Sequence, residues 1–202
     1  RSSNVYTIST LLKQYQIKPE LFHIVDNQQA TIEKIRVLLN NFDVLILSGG
    51  VSKGKFDYIP AALESLHVEK LFHRVRQKPG KPFWFGKNAA NKVVFALPGN
   101  PASSFMCTNR YFLPWLRASM NLQPLNYQYV RLAETFTFKA NLQYFLQVKI
   151  NYEKDGQITA KPLAGRGSGD LANLADVDGF LELPAEKTDF LKGEVYPFIR
   201  FR

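Results

Sequence analysis

Apolar residues in the first 120 positions repeat with two different periods. Ile8, Leu11, Leu12 and Tyr15 recur at spacings of three and four, which predicts a helix over residues 5–14. Leu21 to Val25 reads as a short strand ending at Asp26. Thr31 can cap a helix whose face carries Ile32, Ile35, Leu38 and Leu39. Val44 to Leu47 are four branched apolar residues in a row, a pattern that suits a parallel strand buried on both faces. A loop from Ser48 to Asp57 precedes a helix over Ile59–Leu66, a strand over Leu71–Val75 and a second strongly apolar strand at Val93–Leu97. After Pro98-Gly99-Asn100-Pro101, a helix is predicted from about Ala102 to Met120. Alternating strands and helices predict an α/β fold, with an open, mostly parallel sheet flanked by helices.

The period changes after Pro124. Leu146, Val148, Ile150 and Tyr152 alternate with Gln147, Lys149 and Asn151, the signature of a half-buried strand. Asp155-Gly156 signals a hairpin, with Ile158–Ala160 returning and further strands at Phe180-Leu181 and Val195–Phe201. No helical period recurs apart from a turn near Leu171–Leu174. The expectation is two domains: an α/β domain over 1–123 and a small all-β, barrel-like domain over 124–202.

Composition narrows the function classes. The 202 residues are 46% hydrophobic and 21% charged, so the chain can bury a core and is not a disordered segment. One cysteine, Cys107, excludes an internal disulfide framework, and its apolar helix predicts a packed thiol. No run of about 20 apolar residues predicts a membrane span, and the opening residues carry no signal-peptide pattern. A reducing, cytoplasmic setting is therefore expected. The formal net charge is +9, and residues 53–92 alone hold nine basic and three acidic groups. Excess charge gathered in one window points to an anionic ligand at one place. The alternative is a merely solvated basic face. Nucleic acid is disfavoured, because the window holds one Lys-Pro-Gly-Lys turn and no basic stripe.

Ligands of open α/β sheets bind beyond the carboxyl ends of the strands. Three loops here leave such ends. Ser48, Gly49, Gly50, Val51, Ser52, Lys53 and Gly54 can form an amide-lined anion concavity, although the Walker ending is absent; alone, the loop could equally be a structural turn. Lys78, Pro79, Gly80, Lys81 and Pro82, preceded by Arg74 and Arg76, make a stiff cationic turn. Pro98, Gly99, Asn100 and Pro101 open a helix with Ser103 and Ser104 in its first turn; a plain helix cap is the alternative. Asp26 and Asp57 are candidate Mg²⁺ ligands, or else a helix cap and a surface carboxylate. His23, His67 and His73 have no ligand spacing.

Taken together, SGGVSKGKFDY at 48–58, KPGKPFWFG at 78–86 and LPGNPASS at 97–104 resemble the molybdopterin-binding domain of the molybdenum cofactor biosynthesis family, which includes MoeA and the E domain of gephyrin. RGSGDLANLADVDGFLEL at 166–183 is similar to that family's C-terminal β-barrel domain. The resemblance implies a molybdopterin molybdenumtransferase, which inserts molybdate into adenylylated molybdopterin with help from Mg²⁺ and releases AMP. It implies that Ser48 to Gly54 cradle the pterin or phosphate end. It makes Asp57 and Asp26 functional aspartates, with Arg74 and Lys78 lining the anion pocket. Gly80, Lys81, Pro98, Gly99, Asn100, Pro101, Ser103 and Ser104 would complete the ligand border.

Two departures stand out. Asp26-Asn27-Gln28 replaces the family's Asp-Asp-Pro, and the upstream domains with the strand and TGDE-type loop opening this one are absent from the sequence. The first strand of the sheet is thus expected to be missing, and the resemblance implies that the upstream pieces supply catalytic carboxylates, some of them across the interface of a homodimer. The chain is expected to bind ligand but to be catalytically incomplete. A non-catalytic molybdopterin-binding or scaffold module is the competing expectation.

Overall fold

The computed structural model describes residues 3–51, 58–126, 128–163 and 172–201. It divides into two compact units: one built from the chain up to Val75 together with Gly80–Thr108, the other from Arg76–Pro79 together with the chain from Asn109 onward.

The first unit begins with α1 (Ser3–Lys13), which buries Ile8 and Leu12. Residues 18–25 then run without regular structure. This corrects the strand expected at Leu21–Val25. Leu21, Phe22 and Val25 are exposed and no neighbouring strand among the described residues pairs with them, so the apolar run has no ladder to join. Phe22 instead meets Phe42 edge-on at 5.6 Å, with the Lys34 ammonium 4.7 Å from its ring centroid. α2 (Gln28–Asn41) is capped by Asn27, whose side chain accepts from Ala30 N–H.

β1 (Val44–Ser48), α3 (Ile59–Ser65), β2 (Glu69–His73), β4 (Trp84–Lys87) and β5 (Val93–Leu97) complete the sheet. Between β2 and β4 the two-residue β3 (Gln77–Lys78) belongs to the other unit. The order is β1-β5-β4-β2, and only β1 and β5 run parallel; β5–β4 and β4–β2 are antiparallel. The mostly parallel sheet expected from the sequence is thus a mixed sheet. The reason is β4, an aromatic strand between the predicted strands, which returns directly onto β5 without a crossover. β2 begins two residues before the predicted strand and is an exposed edge, with Leu71 and Phe72 partly in solvent.

The core joins Ile35, Leu38 and Leu39 of α2 to Ala62 and Leu63 of α3, and to Leu45, Leu47, Trp84, Val94 and Ala96 of the sheet. Each such large side chain contributes about 1.5–3 kcal/mol on burial. β5 is buried along most of its length, whereas β1 alternates, with Val44 and Ile46 only half-buried. After β5 comes α4 (Pro101–Cys107), and Cys107 is fully buried as expected. The single helix predicted to Met120 is interrupted. A π-helical turn over Thr108–Phe112 separates α4 from α5 (Leu113–Ser119).

In the second unit, β6 (Gln128–Leu132), β8 (Gln143–Tyr152), β9 (Ile158–Pro162), β10 (Gly179–Leu183) and β12 (Val195–Arg200) form a ring, β10-β12-β6-β9-β8, closed by pairing of β8 with β10. β3 adds to β8 in parallel. A separate two-stranded pair joins β7 (Phe136–Thr137) to β11 (Asp189–Phe190). Val130, Leu132, Leu146, Val148, Leu181, Leu183 and Phe198 fill the interior, their alternation with outward residues matching the pleat.

Candidate functional site

The parallel pairing of β1 with β5 sets Ser48 opposite Leu97, so the loops that follow both strands leave the same edge of the sheet. Gly49 and Gly50 then take φ of 89° and 68°, left-handed values that a side chain resists. Gly49 N–H donates to Leu97 O at 3.1 Å, so this amide is engaged by the neighbouring strand. The two loops touch through backbone. A Cβ added to Gly99 would lie 3.4 Å from Gly49 Cα, ordinary van der Waals contact, which shows how closely the two backbones lie.

Asn4, in the first turn of α1, crosses both loops. Its Nδ2 donates to Ser48 Oγ at 2.7 Å and to Gly99 O at 3.0 Å. Asn4 is 8% exposed and its Oδ1 is buried without a partner among the described residues. Ser48 is exposed at the edge. Val51 is buried, and its carbonyl accepts from His73 Nε2 at 3.1 Å. A carbonyl can only accept, so that nitrogen carries the proton. His73, given no role from the sequence, pins the first loop to β2.

In the third loop Asn100 is the N-cap of α4, and its Oδ1 accepts from both Ser103 N–H and Ser103 Oγ at 3.0 Å. Both Ser103 donors are therefore engaged by the cap. Ser104 is 1% exposed and its Oγ has no partner among the described residues. Pro98 is buried and Pro101 opens the helix.

The cationic turn is shared between the units. In the first, Arg74 has a φ of 69°, its N–H donates to Phe83 O at 2.9 Å, and Val75 N–H donates to Lys81 O at 3.0 Å. These bonds close the turn around Gly80, while Lys81 is exposed. In the second, Lys78 pairs in register with Tyr144, follows the buried Gln77, and holds its ammonium 5.5 Å from the Phe138 centroid and 6.0 Å from that of Tyr144. Tyr144 stacks on Phe138 at 4.2 Å, and burial pushes its phenol up from the ordinary value.

Asp26 is exposed just before α2, and its neighbour Asn27 performs the capping. Ser52, Gly54 and Asp57 lie outside the described residues. Among the described residues no group of three or more His, Cys, Asp or Glu side chains could hold a metal ion.

The structure thus brings together Ser48, Gly49, Gly99 and Asn100 of two predicted loops and adds Asn4. Sequence reasoning missed Asn4 because an asparagine at a helix start reads as a cap. Its position ahead of the apolar face of α1 was the only signal.

A family model described as "Probable molybdopterin binding domain" matches residues 1–118. The chain belongs to this family. A second model, "MoeA C-terminal region (domain IV)", matches residues 129–201, which take in the barrel of this family member. A molybdopterin molybdenumtransferase from Synechocystis is 42% identical over 200 residues, covering 98% of this chain and 49% of that protein. The Drosophila melanogaster molybdenum cofactor synthesis protein cinnamon is 32% identical, covering 85% of this chain and 29% of its own length. The crystal structure of the molybdopterin biosynthesis MoeA protein from Pyrococcus horikoshii superposes with a TM-score of 0.74, covering 99% of this chain and 46% of that one; at 22% identity it speaks for the fold. The chain spans about half the length of the curated relatives it matches.

Proposed function

We propose that this chain acts in molybdenum cofactor biosynthesis, as part of a molybdopterin molybdenumtransferase that inserts molybdate into the dithiolene of adenylylated molybdopterin and releases AMP. The observation that carries the reading is the meeting of the Ser48-Gly49 and Gly99-Asn100 loops on one edge of a parallel strand pair, braced by Asn4. Such an edge, rich in small residues and carrying the Ser48 hydroxyl, lets an anion approach the backbone.

In this reading the α/β domain over 1–123 binds the ligand, and the all-β domain over 124–202 is a separate structural unit. Ser48 donates to the anion, the glycines allow close approach, and Asn100 holds the Pro98–Pro101 loop rigid through its cap. Arg74, Lys78 and Lys81 balance the negative charge of molybdate and the nucleotide phosphate, lowering their mutual repulsion. Asp57 and Asp26 are the candidates to carry Mg²⁺, which would polarise the phosphate. No described side chain is cast as a covalent nucleophile, so the contribution is positioning. The full-length protein is proposed to work as a cytoplasmic homodimer.

Turnover in the full-length protein tests the reading. Adenylylated molybdopterin, molybdate and Mg²⁺ should yield AMP; Asp57→Ala and Lys78→Ala should each slow its release by at least about tenfold, the loss expected when one charge-stabilising group is removed, and Ser48→Ala should slow it comparably at sub-saturating molybdate. Binding of molybdopterin by calorimetry with no AMP release would replace this reading with a scaffold role. Unchanged release in all three variants would remove these residues from the mechanism.

A further inference from the structure

We infer that Asn4 is a positioning residue that commits the Ser48 hydroxyl to donating toward an oxyanion ligand. The inference rests on the proposed function and deepens it.

The argument is one of hydrogen-bond direction. Gly99 O is a carbonyl and can only accept, and it lies 3.0 Å from one end of the Asn4 amide. That end must therefore be the NH₂ group. Its partner settles the amide orientation, which the similar shapes of the two ends would not. The same nitrogen lies 2.7 Å from Ser48 Oγ, so its second hydrogen points there and Ser48 Oγ accepts. A hydroxyl that accepts along this line must aim its own hydrogen elsewhere. Ser48 is exposed at the end of β1 and makes no other side-chain hydrogen bond among the described residues. Its hydrogen is thus presented at the loop edge.

The adjacent amide strengthens the point. Gly49 N–H already donates to Leu97 O, so it does not compete with Ser48 for a ligand. An oxyanion, which has only acceptor atoms, is what a preset donor selects. A hydroxyl free to rotate could serve donors and acceptors alike; one whose lone pair is held by Asn4 favours acceptors. Asn4 itself is 8% exposed, and the helix face that buries Ile8 and Leu12 anchors it. Helix α1 therefore does more than pack against α4, because it delivers one amide to the point where the two loops meet.

The decisive variant is Asn4→Asp. A carboxylate of the same shape cannot donate to Gly99 O, and it draws the Ser48 hydrogen inward. Hydrogen bonds to charged groups contribute about 1.5–3 kcal/mol, or roughly 10–100-fold in affinity. In the full-length protein, Asn4→Asp and Ser48→Ala should each weaken molybdate binding in equilibrium dialysis by about that factor. The KM for molybdate in the AMP-release assay should rise with kcat nearly unchanged. The pair must be coupled: in a Ser48→Ala background, Asn4→Asp or Asn4→Ala should cost less than about threefold more.

If Asn4→Asp unfolds the protein, as circular dichroism would show, Asn4→Ala carries the same cycle. Full additivity of the Asn4 and Ser48 losses would overturn the inference in favour of a purely structural asparagine, and so would a lowered kcat at constant KM. A large Lys78→Ala effect with no Ser48→Ala effect would also sink it while leaving the proposed function standing. Loss in none of the Ser48, Lys78 and Asp57 variants would instead count against the function itself.

Discussion

The four-stranded sheet and the five-stranded ring solve the same problem, burying one face of a set of strands, in ways that leave different things at their ends. In the sheet, β1 and β5 run parallel, so the segments that follow them emerge side by side and can meet. In the ring, four of the five pairings are antiparallel and only β6–β9 is parallel. Antiparallel neighbours send their following loops to opposite ends. Closure pairs every ring strand on both sides and removes the edges that would otherwise invite association. One parallel pair, β1 with β5, is therefore enough to create the candidate site, whereas the ring is built for packing.

The contrast is most exposed to disproof in the ring. Phe180 is fully buried in β10, and Phe180→Ala should destabilise the second unit by about 3–5 kcal/mol, read as a lowered urea midpoint. Ser48→Ala, by contrast, should cost only about 1 kcal/mol of stability, the loss of its bond from Asn4, while weakening anion binding. Equal midpoint losses from both would erase the distinction.

The next largest effect lies at the loop contact. Gly49 holds φ at 89°, so Gly49→Ala should cost about 1–2 kcal/mol of stability and disturb the meeting with Gly99. Gly99→Ala places its Cβ 3.4 Å from Gly49 Cα, ordinary van der Waals contact without the left-handed strain, and its thermal shift should be the smaller of the two. Similar shifts would mean that the approach, not the backbone angle, sets the cost. Asn100→Ala removes the cap that engages Ser103 and should cost about 1 kcal/mol in thermal unfolding.

The smallest effect is electrostatic and belongs to the barrel unit. Glu194 accepts from Lys187, from the Tyr196 hydroxyl and from Leu191 N–H, and these hold its carboxyl down at about 2. A depressed folded value gives stability that is present above the ordinary carboxylate pKa and is lost as pH falls through about 2. Melting temperatures measured from about pH 5 down to about 2 should fall more steeply for the native protein than for Glu194→Gln. The Glu194 bond also raises Lys187, so that part of the interaction is full below the ordinary lysine pKa and fades as pH rises past it.

Local chemistry alone was enough to place the apolar strands, because a run such as Val44–Leu47 or Val93–Leu97 has few other ways to hide its side chains. It was enough for the turns, since glycine and proline constrain backbone angles locally. The change of character near Pro124 and the make-up of the loops at 48–54 and 97–104 were legible in the same way. Pairing direction emerged only from long-range packing. Side-chain period reports which face is buried and says nothing about the neighbour, so the antiparallel return of β4 and the lack of any ladder for Leu21–Val25 were invisible. The π-helical turn at Thr108–Phe112 was equally hidden, because one extra residue per turn barely alters an apolar pattern. Asn4 is the clearest case. It meets Ser48 and Gly99 across 44 and 95 positions of chain, and no local pattern encodes a hydrogen bond whose partners come together only when helix and sheet pack.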